Sequence, residues 1–219
     1  MSKIKTVGIV GTGVIGTGWI IRNLAHNKIV HAYDQNKNLK NYVLKEIKRT
    51  SKSIKKLFGK KILIKNLKFF NSLEKALSNV DFVQESVLEN YKVKTDLIQK
   101  ISKYVKSNVI ISSSSSGLLP SKIFSKSKNP QRGIIGHPFN PAYLLPAVEI
   151  VPGKKTTRKF LSDANKYYKS ISMRPIMLKK ELPGYLSDRL QEALWREGLH
   201  IINENYATTQ ELDLSLIHI

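Results

Sequence analysis

Three short segments carry residue types that can bind an alcohol and move its proton. Gly136-His137-Pro138-Phe139-Asn140-Pro141 supplies an imidazole, and Val148-Glu149-Ile150-Val151 supplies a carboxylate between apolar residues. The serine run 112–116 supplies a row of hydroxyls, with Ser116 standing before Gly117-Leu118. Oxidising a secondary alcohol needs a base for the hydroxyl proton, and histidine titrates near working pH. A carboxylate on the other ring nitrogen fixes the tautomer and stabilises the imidazolium. A serine hydroxyl can hold the substrate oxygen. His137 and Glu149 are 12 residues apart, across a turn that can fold one against the other. Singly, each has a plainer reading, as a hydrogen-bonded histidine or a half-exposed glutamate. Together they describe an alcohol dehydrogenase site that calls for no metal.

Such a site needs a hydride acceptor, and the N-terminus holds a pattern for one. Gly11-Thr12-Gly13-Val14-Ile15-Gly16 is a GxGxxG that follows a strand and opens a helix. A second strand then ends in an acid, Asp34, 23 residues after Gly11. This context is the dinucleotide-binding arrangement. Gly11 permits the tight turn, Gly13 lets the backbone approach a pyrophosphate, and Gly16 lets helix and sheet pack closely. Val14 and Ile15 begin the helix whose free N–H groups face the phosphates. Asp34 would accept hydrogen bonds from ribose hydroxyls and repel a 2′-phosphate, which favours NAD over NADP. The competing reading is a glycine-rich turn with no ligand.

The elements that must position these residues alternate between strand and helix. Strands are predicted at 4–10, 29–34, 67–70, 80–85, 109–112, 134–139, 148–151 and 174–178. Helices are predicted at 14–26, 38–58, 72–79, 91–106 and 156–171, and a proline-rich turn (Pro138, Pro141, Pro146) separates two strands. The alternation predicts an α/β fold with a parallel, doubly wound sheet. After Pro183-Gly184 the pattern becomes one long helix over 185–206, a candidate domain boundary.

Composition excludes several classes. With 219 residues and 41% apolar content the chain can bury a real core. It has no cysteine, so disulfides, thiolate metal sites and cysteine nucleophiles are ruled out. No apolar run approaches the ~20 residues that span a bilayer, and Met1-Ser2-Lys3-Ile4-Lys5 leads straight into a strand. These features predict a cytoplasmic protein without a secretory leader or membrane partner. The net charge of +21 invites a nucleic-acid reading, but 30 of the 37 basic residues are Lys, whereas specific readout favours Arg. Residues 181–219 carry −5, so residues 1–180 carry +26. The densest stretch, 37–68, interleaves lysines with apolar residues like a solvated helix face. No nucleic-acid partner is expected.

Taken together, the motifs identify a resemblance. The chain is similar to the 3-hydroxyacyl-CoA dehydrogenase superfamily, and most to its L-carnitine dehydrogenase branch. The similarity rests on Gly11–Gly16, Val83–Asn90, Ser112–Pro120, Gly136–Pro141, Leu144–Pro152 and Pro183–Glu197. It implies a Rossmann-like, mostly parallel NAD-binding domain over 1–181, and over 182–219 the start of an all-helical domain that forms a homodimer. It implies His137 as base, Glu149 as its partner, Ser116 as ligand of the substrate hydroxyl, and Glu89 and Lys94 near the nicotinamide half of NAD. A plain charge pair is the alternative for those last two.

Two departures set the chain apart from acyl-CoA enzymes. Asp188 stands where those enzymes have Asn, and the segment after Asp34, a CoA-gripping hairpin in them, is shorter here. Both suit a small substrate. Asp188, Glu192 and Trp195 are spaced i, i+4, i+7 and share a helix face. Two carboxylates and an indole would suit a quaternary ammonium, which binds aromatic faces by cation–π attraction. Phe139 and Tyr143 are alternative aromatic walls. Glu192 pairing with Arg189 or Arg196, and Trp195 packing between domains, is the competing arrangement.

The resemblance therefore implies NAD-dependent oxidation of the 3-hydroxyl of L-carnitine. The alternatives are a 3-hydroxyacyl-CoA or L-gulonate-type dehydrogenase, a basic nucleic-acid-binding protein, and a non-enzymatic NAD-binding relic. The helical domain of the family needs more helices than this chain supplies, and residues 214–219 depart from the family pattern. The expectation is a C-terminally truncated chain that exposes apolar surface on the 185–206 helix, dimerises poorly and has little activity.

Overall fold

In the computed structural model, which describes residues 4–217, strands and helices alternate as far as the strand Gly133–Pro138, and the strand Ala147–Pro152 follows it directly. The tail residues 218–219 and residues 1–3 of the predicted leaderless start lie outside the described residues. The strands are β1 (Thr6–Val10), β2 (Ile29–Tyr33), β3 (Leu67–Phe70), β4 (Phe82–Glu85), β5 (Ile110–Ser113), β6 (Gly133–Pro138), β7 (Ala147–Pro152) and β8 (Arg174–Met177). Between and after them run α1 (Val14–Ala25), α2 (Leu39–Phe58), α3 (Leu73–Leu77), α4 (Tyr91–Tyr104), α5 (Pro120–Ile123), α6 (Arg158–Ser170), α7 (Ser187–Asn203) and α8 (Thr209–Leu216). Four-residue α5 is too short to show helical periodicity, and no sequence signal predicted it. Residues 214–216 form the last turn of α8.

All eight strands join one Rossmann-like sheet in the order β3-β2-β1-β4-β5-β6-β7-β8. The sheet is mostly parallel, as the resemblance implies, and the exception is the β6–β7 pair, which runs antiparallel. The reason is the length of their connection. Only eight residues, 139–146, separate them, whereas a parallel pair needs a crossover of about a dozen or more.

The strands sort their side chains into two layers. Val7, Ile9, Phe82, Ile110, Ile134 and Ile150 pack against α1, α2 and α6, where Trp19, Ile47 and Tyr168 are buried. Val83, Ile111, Ile135 and Val151 pack on the other face against α3, α4 and α5. α2 buries Val43, Ile47, Thr50 and Ile54, spaced for one face, and its lysines stand in solvent. In contrast, α7 and α8 bury no residue. Leu190, Leu194, Trp195 and Leu199 on α7 are all exposed. None of the helices within the described residues is long and apolar enough to cross a membrane.

Gly136 lies in β6 under Tyr168 of α6; a Cβ there would collide with the Tyr168 hydroxyl. Gly136→Ala is expected to cost about 2 kcal/mol by overpacking, a fall in Tm of roughly 4–8 °C at this chain length. Thermal unfolding followed by circular dichroism checks it.

Candidate active site

The reversal at β6–β7 sets His137 directly opposite Glu149 in the strand register. His137 Nδ1 lies 2.8 Å from a Glu149 carboxylate oxygen. Glu149 is fully buried, yet every donor it needs is present. Besides the imidazole, the Ser187 hydroxyl donates at 2.7 Å, and the Ser187 and Leu186 N–H groups each donate at 3.0 Å. Burial pushes the Glu149 carboxyl up, but the hydrogen bonds from His137, Ser187 and Leu186 outweigh it and hold it below the usual carboxylate range. With Nδ1 committed to Glu149, Nε2 is the nitrogen left to meet a substrate.

Glu149 thereby ties the start of α7 to the sheet, and α7 brings Asp188. Burial raises the Asp188 carboxyl above its usual value; His137 opposes this, while Glu149 and Glu89 reinforce it. Asp188 is thus within electrostatic reach of the imidazole and of two other carboxylates. Two rings flank His137. Phe139 is 5.9 Å away between centroids, and Tyr185 meets it edge-on at 5.7 Å. Tyr185 is buried and donates to the Leu118 carbonyl at 2.7 Å, which fastens the serine loop beside the imidazole.

Glu89 and Lys94 hold that loop from the other side. Glu89 accepts from the Ser115 hydroxyl, from the Ser116 N–H at 3.0 Å and from the Gly117 N–H at 3.3 Å. Lys94 is buried, with Nζ 3.3 Å from Glu89 and 2.9 Å from Glu85. Glu85 in turn accepts from the Ser113 hydroxyl at 2.5 Å. The sequence reading passed over Glu85, Tyr185 and Ser187. Glu85 carried a usable signal, an acid closing an apolar strand as Glu149 sits within one. Ser187 and Tyr185 offered none in composition or spacing.

Other residues frame the site at a distance. Arg22 is buried on α1 and donates to the carbonyls of Ala142 (3.0 Å), Leu145 (2.7 Å) and Ser172 (3.4 Å). Burial pushes its guanidinium down to about 10. It pins the 139–146 turn against α1. Tyr143 faces α2, where its hydroxyl accepts from Arg49 at 3.4 Å, so it does not stand with Phe139 beside His137. Glu192 and Trp195 share a groove of about 760 Å³ with Asp188, between α7 and α8. Trp195 is 65% exposed there, and neither residue touches His137.

The glycine-rich turn makes a cradle. Gly11 has φ +88°, and a Cβ there would sit 2.6 Å from the Ser86 carbonyl. A Cβ on Gly13 would meet nothing within 4 Å. α1 starts without a side-chain cap or an acid in its first turn, so its N–H groups stay available to an anion. Val14 is exposed at that end, and Ile15 and Gly16 turn inward. Asp34 accepts from the Thr12 N–H at 2.6 Å and the Asn36 N–H at 2.9 Å, at the rim of a cavity of about 850 Å³.

Comparison with known proteins decides the family. The model of the 3-hydroxyacyl-CoA dehydrogenase NAD-binding domain matches residues 6–182. The chain belongs to that family. It is 42% identical to an L-carnitine dehydrogenase of Oceanobacillus iheyensis, over 98% of this chain and 70% of that protein. Among solved structures it resembles FHMPC 5-dehydrogenase, an NAD+-dependent dismutase (TM-score 0.89, 25% identity, 96% of this chain and 69% of that one). It also resembles the (S)-3-hydroxybutyryl-CoA dehydrogenase of Ralstonia eutropha (TM-score 0.85, 26% identity, 95% and 75%). The chain is an NAD-dependent 3-hydroxy dehydrogenase. NAD is its cofactor, and the open face at Gly13, the uncapped α1 and the Asp34 rim fit that dinucleotide.

The lowered Glu149 carboxyl has a linkage consequence. A carboxyl depressed by folding contributes stability above its ordinary value of 4.5, and the contribution disappears as pH falls through the lowered value. Glu149→Gln is therefore expected to lower Tm at neutral pH and to flatten the acid limb of Tm against pH. Thermal melts from pH 7 down to strongly acid solution check this.

Proposed function

We propose that the chain oxidises the 3-hydroxyl of L-carnitine to 3-dehydrocarnitine. The observation that carries this reading is the Asp188 carboxylate at the start of α7, within electrostatic reach of His137, in a chain 42% identical to an L-carnitine dehydrogenase. A carboxylate at that place favours a substrate with a positive charge near its hydroxyl. One helix, α2, and a single 3-10 turn separate β2 from β3, which supports a small substrate over one with a long carrier arm.

NAD, when bound, supplies the hydride acceptor. His137 takes the hydroxyl proton on Nε2, and Glu149 keeps Nδ1 protonated and balances the imidazolium. Ser116 holds the substrate oxygen on the loop that Glu89 and Tyr185 fix. Asp188 faces the trimethylammonium, with Phe139 as an apolar wall beside the imidazole. Glu192 and Trp195 extend the acidic and aromatic lining along α7. Lys94 anchors Glu89 near the nicotinamide half, and Gly11–Gly16 with Asp34 hold the rest of the dinucleotide.

The division into an NAD-binding part, 1–181, and a helical part, 182–219, belongs to this reading. Gly184 at φ +70° and the absence of buried residues on α7 and α8 support it. A homodimer through the helical part and a cytoplasmic setting complete it.

The test supplies the protein with NAD and either L-carnitine or 3-hydroxybutyryl-CoA. NADH formation on L-carnitine is expected; turnover confined to the CoA substrate would sink the proposal. His137→Ala is expected to lower kcat by about 10²- to 10⁴-fold. Asp188→Asn is expected to raise the KM for L-carnitine while raising Tm at neutral pH. The sign follows from linkage: a carboxyl raised by folding loses stability as pH climbs through its folded value.

A further inference from the structure

Hydrogen-bond accounting on the α1 side of the sheet fixes where each proton lies. Gln84 is buried on β4, and its amide nitrogen donates to the Gly136 carbonyl at 3.3 Å and to Ser114 Oγ at 2.8 Å. The opposite amide orientation would set two carbonyl oxygens against each other at Gly136. Gln84 Oε1 is therefore the acceptor for the Tyr168 hydroxyl at 2.7 Å. That uses the only phenolic proton, so in the 2.8 Å pair between Ser112 and Tyr168 it is Ser112 that donates.

The same count works at the other end. Ser114 Oγ accepts from Gln84 and also from Trp19 Nε1 at 3.1 Å. A hydroxyl has two lone pairs and one proton, and both lone pairs are taken. Ser114 must then donate to Ser86 Oγ, 2.9 Å away. Donation therefore runs one way, from Ser112 through Tyr168, Gln84 and Ser114 to Ser86. Ser86 accepts in this pair, and its own proton points elsewhere. Among the described residues no acceptor meets that proton. Ser86 is half-buried and lines the cavity of about 850 Å³ together with Gly11, Gly13 and Asp34. Its backbone abuts Gly11, in the same tight turn as Gly13, where the backbone can approach a pyrophosphate.

We propose that Ser86 is a cofactor-binding residue whose hydroxyl donates to an oxygen of the pyrophosphate–ribose bridge of NAD. The buried chain behind it keeps that hydroxyl turned outward as a donor before the cofactor arrives. A donor aligned in advance loses less freedom on binding than one that must reorient.

The experiment measures binding rather than turnover. NAD, ADP-ribose and adenosine are titrated by calorimetry into the chain and its Ser86→Ala variant. NAD and ADP-ribose affinity should each fall about tenfold, as for one lost hydrogen bond to a charged group, with adenosine unchanged. Unchanged NAD affinity overturns the proposal, and so does an equal loss for adenosine, which would signal a distorted turn. Ser86→Ala leaves the Ser114 proton without an acceptor, so Ser86→Cys is the second variant. It fills the site and keeps a weak acceptor for Ser114, but donates weakly. The same selective loss is expected; full NAD affinity in Ser86→Cys overturns the proposal.

Discussion

A carboxylate taken fully out of water must be met by donors, and much of this molecule is arranged around meeting Glu149. Its four hydrogen bonds come from the imidazole of β6 and from the first residues of α7 and its approach. Those bonds orient His137, tie β6 to β7, and fix where α7 begins. The positive end of a helix adds to the attraction. Placing Asp188 is a by-product, because a residue in the first turn of α7 goes where the carboxylate holds that turn. Removing either donor group would leave a buried charge short of partners, so the constraint acts in both directions.

A second buried acid, Glu85, plays a parallel part on the same sheet face. It holds Lys94, and Lys94 and the serine loop together hold Glu89. The result is a site whose charges are mainly negative, set in a body whose surface is strongly positive. The overall +21 therefore describes solvated faces such as that of α2 and says little about the chemistry at the ends of the strands. An electrostatic reading from composition alone would have assigned the site the wrong sign.

Much of the architecture was legible because it is periodic. The alternation of β1 to β6 with helices follows from apolar spacing, and the Gly11–Asp34 unit follows from a pattern whose every position has a steric reason. His137 and Glu149 were legible as types at a suggestive distance. Their register was not, because the direction of β7 depends on the length of the preceding connection rather than on its own residues. The donors from Leu186 and Ser187 were hidden for a different reason. A backbone N–H has no letter in a sequence, and only the fold shows which carboxylate it faces. Long-range pairs such as Gln84 with Tyr168 share that invisibility, since nothing local to either residue calls for the other.

The serine run shows what low complexity can conceal. Ser112 meets Tyr168, Ser113 meets Glu85, Ser114 meets Trp19 and Gln84, and Ser115 meets Glu89. Successive residues of an extended chain face opposite layers, so a slip of one position would send every hydroxyl to the wrong side. Loss or gain of a single serine would leave the run almost unchanged to the eye, yet would exchange the partners of all its members at once. Four of these identical letters are four different parts, and their number is as constrained as their identity.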